Sequence, residues 1–540
     1  MSKDVLLGKE PMNEVIEGIN LVANSVKVTL GPKGRNIILS KGNEAPLITN
    51  DGATIAKEIN LKDPAKNTGA QVIKQASERT NNEAGDGTTT TALLAQSLIN
   101  EGNKLIEEGI DPIDLRSGMN TACGIIVEEL KKESKPIESN DDIKKIATIS
   151  SGSELIGSLI SEAYEAIGKE GAITVEESKS NVTSIEIKEG YRVPFAPNQY
   201  FFADPNGTFK STIDIDNAAI LVSASKIDSL PPFAPVLQEI ANQGGKIVIF
   251  AESVAPQVLD AILANYFRGL QVYLVDLSNL PDKVDILTDI AITTGAKLFN
   301  VEKGVLYKDI TLDDLGMAMK VKFKKDKETL LIDCQGELEE KEMRKEELRK
   351  GLNEDESLNE KQKDLIKRRI SGLTKGIAVI NLGSSSEIEM GELSLRVEDA
   401  LCSVRSSLEE GIVPGAGSTF IKISPKLDVE NKSDSFIKGV EIVKSAIQMP
   451  LSQILKNAQY SDERIKEIVE KVTKSGKVYN LVTDEYEDSE TTNVFDPTKV
   501  ERLSIETAVS VASTILTTSG IVMDEKETTG DIVLKALGVK

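Results

Sequence analysis

The chain has 540 residues, enough for several domains, and 40% of them are hydrophobic, enough to build buried cores. Its 86 Asp and Glu outnumber its 64 Lys and Arg, and the net charge of −22 argues against nucleic acid or an anionic membrane as the main partner. There is no histidine, which excludes Ser-His-Asp and Cys-His catalysis and every His-ligated metal site; acid–base chemistry must rest on Asp, Glu, Lys or water.

Read from the N-terminus, no apolar leader precedes the first helical pattern, and no apolar run approaches membrane-spanning length. Cys123, Cys334 and Cys402 form no Cys-x-x-Cys pair and read as small buried hydrophobes in a reducing compartment. A cytoplasmic location is expected. Val15, Ile19, Val22, Val26 and Leu30 step by three or four and predict a helix over 11–30, stopped by Gly31-Pro32. The apolar runs 37–39 and 47–49 flank a polar turn at 41–44 and predict a hairpin. Helices are expected over 69–83 and 89–108, on either side of Gly85-Asp86-Gly87. This segment, to about residue 133, is mainly α.

Lys135-Pro136 begins a mixed segment, with a helix over 154–167 and a strand over 172–176. From about residue 189, short apolar or β-branched runs at 219–222, 246–250, 272–275 and 297–299 alternate with helical segments, including 236–243 and 255–267. That alternation implies an α/β domain with a parallel-rich sheet. Residues 337–369 are dense in Glu, Lys and Arg and predict a charged helical pair with a mostly solvated face. After the apolar run 377–380 the chain returns to helix, and its last third is α-rich.

The segment Gly85-Asp86-Gly87-Thr88-Thr89-Thr90-Thr91 carries the strongest chemical signal. Glycines let backbone N–H groups approach a ligand, and a helix N-terminus favours phosphate. Asp86 would repel phosphate unless a Mg²⁺ lay between them. A bare Gly-x-Gly would read as a solvated loop with a threonine cap. Three further segments bear on the same chemistry. Thr29-Leu30-Gly31-Pro32-Lys33-Gly34 is by itself a helix C-cap. Asn50-Asp51-Gly52 is by itself a common turn. Arg396-Val397-Glu398-Asp399-Ala400 reads as the opening of a helix that ends near Gly411, with Asp399 a first-turn acid.

Together and in this order, the segments at 29–36 (Thr-Leu-Gly-Pro-Lys-Gly-Arg-Asn), 85–90 (Gly-Asp-Gly-Thr-Thr-Thr), 396–401 (Arg-Val-Glu-Asp-Ala-Leu) and 496–500 (Asp-Pro-Thr-Lys-Val) resemble the chaperonin family, in its group I type. The resemblance covers nearly the whole chain. It implies a multidomain α and α/β fold. A mainly α equatorial ATP-binding domain would span 1–133 and 410–540, and a small α/β intermediate domain 134–188 and 376–409. An α/β apical domain would span 189–375. It also implies a seven-subunit homo-oligomeric ring, single or double, whose cavity encloses non-native client proteins. ATP with Mg²⁺ and K⁺ would drive it, and a small lid-forming co-chaperonin would close it.

Carried over by position, the resemblance makes Asp86 the Mg²⁺ ligand and Gly87, Thr88, Thr89 and Thr90 the phosphate cradle. Thr29, Leu30, Gly31 and Asn50 line the same site, with Thr29 and Thr90 near K⁺. Asp51 and Asp399 would orient or activate the attacking water, and closure of the intermediate domain would bring Asp399 in. Ile149 and Ser150 would lie near the phosphates, and Gly415 and Ala416 beside the nucleotide. Asn480 and Asp496 would contact its adenine and ribose side. Phe201, Phe202, Leu237, Leu259 and Leu263 match an exposed apolar client face. The chain departs from the group I pattern at Asn50, usually lysine, and at Ala416, usually glycine. It departs again at Pro197, usually aromatic, and at Ala234, usually leucine.

Overall fold

The computed structural model describes residues 3–524, except 41–45, 170, 179–180, 204–208, 281, 306, 308–309, 326–327, 355–359, 385, 430–431 and 490. The expected polar turn at 41–44 therefore lies outside the described residues. The chain separates into two compact units: Met1–Ser161 with Ser384–Lys540, and Glu162–Gly383. Both boundaries fall inside the segments 134–188 and 376–409.

The discontinuous unit is mainly α. Its first helix, Lys9–Val26, buries the predicted stripe Val15, Ile19, Val22 and Val26, and a short 3₁₀ turn, Lys27–Thr29, ends it. The helix packs chiefly on Pro64–Ala84 and on Thr88–Glu107, and the stripe shares one apolar core with Ile73, Leu94, Leu98, Ile126 of Pro112–Glu133 and Ile505 of Thr498–Leu516. Each such side chain, fully buried, contributes about 2 kcal/mol. The helix starts follow a simple local rule. Asp63 and Asp111 accept hydrogen bonds from the first free N–H groups of Pro64–Ala84 and Pro112–Glu133, and each is followed by proline at the first helical position. A smaller core of Ile421, Leu451, Leu455, Ile468, Val472 and Tyr479 sits beside the hairpin Val478–Asn480 and Glu485–Glu487. The expected hairpin Ile37–Leu39 with Leu47–Thr49 is present and antiparallel.

The contiguous unit is α/β. Its large sheet has the strands Thr212–Ser223, Lys246–Ala251 and Val272–Asp276 in parallel, with Leu298–Phe299 also parallel to the first. The other half is antiparallel: Gly316–Lys324 pairs with Thr212–Ser223, then Glu328–Cys334, then Gly190–Val193. The sheet is thus mixed rather than parallel-rich. The strand Gly316–Lys324 escaped notice because Lys320, Lys322 and Lys324 alternate with its apolar residues. Lys320 pairs with Glu176 at 2.7 Å, and Lys322 donates to the Val175 carbonyl at 2.8 Å. A second sheet places Ile377–Leu382 between Ala172–Glu177 and Ser184–Lys188.

The charged helices Leu338–Glu354 and Glu360–Lys375 are present, and most described residues of the first are exposed as expected, but the pair is also docked through inward-facing arginines. Arg344 and Arg369 turn inward to Asp289, which has no exposed surface, on helix Lys283–Thr294. Arg344 Nε lies 2.9 Å and Arg369 Nε 2.6 Å from the Asp289 carboxylate, and the Tyr191 hydroxyl donates to it at 3.1 Å.

Phe201 and Phe202 do not belong to an exposed face: each is 1% exposed in the core of this unit. The Phe201 ring meets Tyr266 edge-on at 5.2 Å, and the Tyr266 hydroxyl donates to the Phe201 carbonyl at 2.7 Å. Aromatic rings of this size gain more from such packing than any polar neighbour offers here. Leu237, Leu259 and Leu263 are half-buried, on helices Ala234–Asn242 and Pro256–Tyr266. Pro197 is buried and Ala234 exposed.

Candidate functional site

The turn Gly85-Asp86-Gly87 joins helices Pro64–Ala84 and Thr88–Glu107. Gly85 (φ +74°) and Gly87 (φ +84°) both take the left-handed conformation. Both are also walled in. A Cβ on Gly85 would stand 2.3 Å from Cys402 Cβ, and one on Gly87 would stand 2.7 Å from Val500 Cγ1 and Ser504 Oγ. The turn is therefore wedged between helices Glu387–Glu410 and Thr498–Leu516. Asp86 is fixed at both oxygens, accepting from its neighbour Gly87 N–H at 2.6 Å and from the Ser403 hydroxyl at 2.9 Å. Ser403 Oγ lies 3.0 Å from Ser150 Oγ, and Ser406 donates to the Ala84 carbonyl at 2.8 Å.

The threonines divide their labour. Thr91 is fully buried, its hydroxyl donated to the Gly87 carbonyl at 2.9 Å, so it braces the turn. Thr88, Thr89 and Thr90 form the first helical turn, whose N–H groups have no partner within the helix. Thr88 and Thr89 meet Gly52, where a Cβ would stand 2.8 Å and 2.3 Å from their hydroxyl oxygens. Asp51 sits just before it, not in a simple turn but as the N-cap of helix Gly52–Glu58. It accepts from Ala53 N–H at 3.1 Å and Thr54 N–H at 2.8 Å. Asn50 is exposed beside it.

Asp399 is not a first-turn acid. Its helix begins at Glu387, three turns earlier, so Asp399 lies mid-helix, with no share in the dipole at the N-terminus. Ser403, one turn on, shares its face. Burial pushes the Asp399 carboxyl well above the usual carboxylate range, and Asp86, Asp51 and Glu398 push it further. Asp86 is raised by burial and by Asp51, against the pull of its two hydrogen bonds. Asp399 therefore already stands within electrostatic reach of both other acids.

A second edge of the cleft is built by the antiparallel pair Ile412–Pro414 and Phe495–Pro497. The Asp496 carboxyl is raised by burial and by Asp86, against the pull of the nearby Ala416 and Gly417 N–H groups. Gly415 has no room for a side chain, since a Cβ there would stand 2.9 Å from Asp496 Oδ1. Ala416 occupies the left-handed region at φ +55°, which costs about 1 kcal/mol relative to glycine.

The Thr29 to Gly31 segment follows the first helix. Asn457 Nδ2 donates to the Lys27 and Leu30 carbonyls at 2.9 Å, and Gly31 (φ +83°) packs on Ile454. Thr29 donates its hydroxyl to the Val26 carbonyl at 2.8 Å, which leaves the oxygen lone pairs for a cation such as K⁺. Two expected residues are not drawn into this network. Ile149 is 42% exposed. Asn480 is held within its hairpin, donating to Glu487 at 2.6 Å and accepting from Val482 N–H at 2.9 Å.

Among the described residues, no Lys or Arg forms an ion pair with Asp51, Asp86, Asp399 or Asp496. This uncompensated charge fits a divalent cation. No group of three acids or thiols among the described residues is placed to hold a metal ion by itself.

The raised carboxyls set a pH dependence. Between the ordinary carboxylate range and their raised values, the folded protein keeps protons that the unfolded chain has released, so folding weakens as pH rises. Each unit by which Asp399 is raised is worth about 1.4 kcal/mol. The nucleotide-free Asp399→Asn variant should therefore melt above the wild type, by a margin that grows as pH rises out of the ordinary carboxylate range. A margin that shrinks or stays level contradicts the assignment.

The sequence reading missed two residues of this site. Ser403 was signalled by its four-residue spacing from Asp399. Glu501, buried in the first turn of Thr498–Leu516, had no signal beyond its nearness to Asp496.

The TCP-1/cpn60 chaperonin family model matches residues 22–526. Among solved structures, the chaperonin gp146 from the bacteriophage EL 2 (Pseudomonas aeruginosa), crystallised in the presence of ATP-BeFx, superposes with a TM-score of 0.70. The two are 18% identical, and the match covers 97% of this chain and 99% of that one. At that identity the likeness establishes a shared fold.

Proposed function

This chain belongs to the TCP-1/cpn60 chaperonin family, and we propose that it is a group I-type chaperonin that spends ATP to capture, enclose and release non-native proteins. The observation that carries this reading is Asp86: a fixed carboxylate without a counter-ion among the described residues, in a glycine turn that opens onto the free N–H groups of a threonine helix. The crystallisation of a structurally similar phage chaperonin with an ATP analogue supports a nucleotide there.

In this reading Thr88, Thr89, Thr90 and the Gly87 backbone cradle the phosphates, with Leu30, Gly31 and Asn50 on the facing side. Asp86 holds Mg²⁺, which when bound neutralises phosphate charge. Thr29 and Thr90 lie beside K⁺. Asp51, locked as a helix cap, and Asp399, kept basic by its acidic neighbours, orient the attacking water and take up its proton. Ser150 steadies Asp86 through Ser403, and Ile149 borders the phosphates. Asn480, Gly415, Ala416 and Asp496 hold the base and sugar.

Residues 1–133 with 410–540 form the equatorial domain, 134–188 with 376–409 the intermediate domain, and 189–375 the apical domain. Seven subunits form a ring, in the cytoplasm, closed by a small co-chaperonin. Clients bind on Leu237, Leu259 and Leu263, with Leu259 and Leu263 one turn apart on one helix. Among the described residues, no helix is long and apolar enough to cross a membrane.

Recovery of a chemically denatured client tests the reading against a passive holdase. Yield should rise with Mg-ATP and stay at the spontaneous level with Mg-ADP. Equal yields with the two nucleotides reject the ATP-driven chamber.

A further inference from the structure

Asn480 and Glu487 are diagonal neighbours on one face of the hairpin Val478–Asn480 and Glu485–Glu487. Tyr479 and Tyr486 alternate with them. Their rings meet edge-on at 5.1 Å and pack on the smaller core, which fixes the hairpin's other face. On the first face, Asn480 Nδ2 donates to Glu487 Oε1 at 2.6 Å. Asn480 Oδ1 accepts from Val482 N–H at 2.9 Å and from Thr483 N–H at 3.4 Å. The other Glu487 oxygen accepts from the Thr492 hydroxyl at 2.7 Å. Thr492 is 2% exposed, and its hydroxyl accepts in turn from Val494 N–H at 3.0 Å. The Val494 carbonyl takes the N–H of Gly415, which abuts Asp496, at 2.9 Å. A chain of hydrogen bonds thus joins Asn480 to the second edge of the cleft.

Each group in this chain has one part to play. Against the effect of burial, the bonds from Thr492 and Asn480 hold the Glu487 carboxyl below the usual carboxylate range, so it is charged and only accepts. The Asn480 group that faces it is therefore the NH₂, and the carbonyl oxygen faces the two backbone donors. Those donors occupy both lone pairs of Oδ1, and Glu487 takes one of the two amide hydrogens. What remains for a ligand is a single N–H, with no free acceptor. We propose that Glu487 is a positioning residue for base recognition: it fixes the Asn480 amide so that its free N–H meets a ring nitrogen of the adenine, and the base is chosen by that nitrogen rather than by its 6-amino group. This rests on the ATP reading above and adds to it which feature of the base is read.

Calorimetric affinities of the full-length protein test it, in wild type, Glu487→Gln and Glu487→Leu. The probes are Mg-ATP, Mg-purine riboside triphosphate, which lacks the 6-amino group, and Mg-tripolyphosphate, which lacks the sugar and base. The wild type should bind the two nucleotides within about threefold of each other, less than one hydrogen bond is worth. Glu487→Gln can still accept from Asn480 and should keep both affinities. Glu487→Leu should weaken both nucleotides by about fivefold, the size of one hydrogen bond, and leave tripolyphosphate unchanged. The inference is overturned if Glu487→Leu binds ATP as the wild type does, or weakens tripolyphosphate as much as ATP, which a general disturbance of the fold would do. A loss in Glu487→Gln equal to that in Glu487→Leu also overturns it, as does a wild-type preference for ATP greater than about threefold, because the 6-amino group is then read. Should Glu487→Leu fail to fold, Glu487→Ala replaces it under the same criteria. A wild type that binds none of the three probes refutes the ATP reading, and the inference falls with it.

Discussion

Replacing Asp399 with alanine is expected to slow ATP hydrolysis by about a hundredfold or more, the range for loss of a positioned acid–base group, with fold and assembly intact. The two halves of this expectation have different physical sources. Phosphoryl transfer depends on a positioned water and on neutralised charge. The proton affinity of Asp399 is raised well above the usual carboxylate range by its surroundings, through burial and through Asp86, Asp51 and Glu398. Its removal also relieves like-charge repulsion, so the variant should be at least as stable as the wild type without nucleotide. Steady-state phosphate release, read beside the melting midpoint, separates these effects. Turnover within threefold of wild type would remove Asp399 from the chemistry. Lost turnover with a lowered midpoint would mark a folding defect instead.

The second large effect lies far from any chemistry. Asp289→Ala should destabilise the unit Glu162–Gly383 by about 3–5 kcal/mol, the usual consequence of removing one member of a buried ionic cluster. Asp289, with no exposure of its own, faces Arg344, Arg369 and Tyr191. Arg344 retains Asp285 at 2.9 Å and Glu347 at 2.6 Å, which places the expected loss towards the lower end. Hydrogen exchange should rise across Leu338–Glu354 and Glu360–Lys375 before the rest of the unit. Unchanged exchange there, with a stability change under about 1 kcal/mol, would mean that the helices are held by their apolar residues alone.

How much of this was legible depends on whether the deciding interaction is local. The helix stripe from Val15 to Val26 was readable because its period is a property of the chain itself. So was the glycine turn, since left-handed conformations announce themselves as Gly. Strand Gly316–Lys324 was hidden because its lysines are satisfied by Glu176 and a backbone carbonyl more than a hundred residues away. The same holds for Arg344 and Arg369, whose charges looked solvated until Asp289 was seen between them. Phe201 and Phe202 matched a pattern of exposed positions, but Tyr266 and Tyr273, distant in sequence, close over Phe201. Within the site, the acids were legible by motif. The Asp86–Ser403 bond was not, because 317 residues separate its partners.

That separation has a consequence for how the protein is made. Asp51 and Asp86 leave the ribosome early, whereas Asp496 follows Asp86 by about 410 residues. At translation rates of about 5–20 residues per second, the first half of the cleft waits roughly 20–80 s for its last wall. The unit Glu162–Gly383 is contiguous and can finish folding within that interval. Completion of the candidate site is thus a late event in biosynthesis, and a chain that stops short of Asp496 cannot reach it.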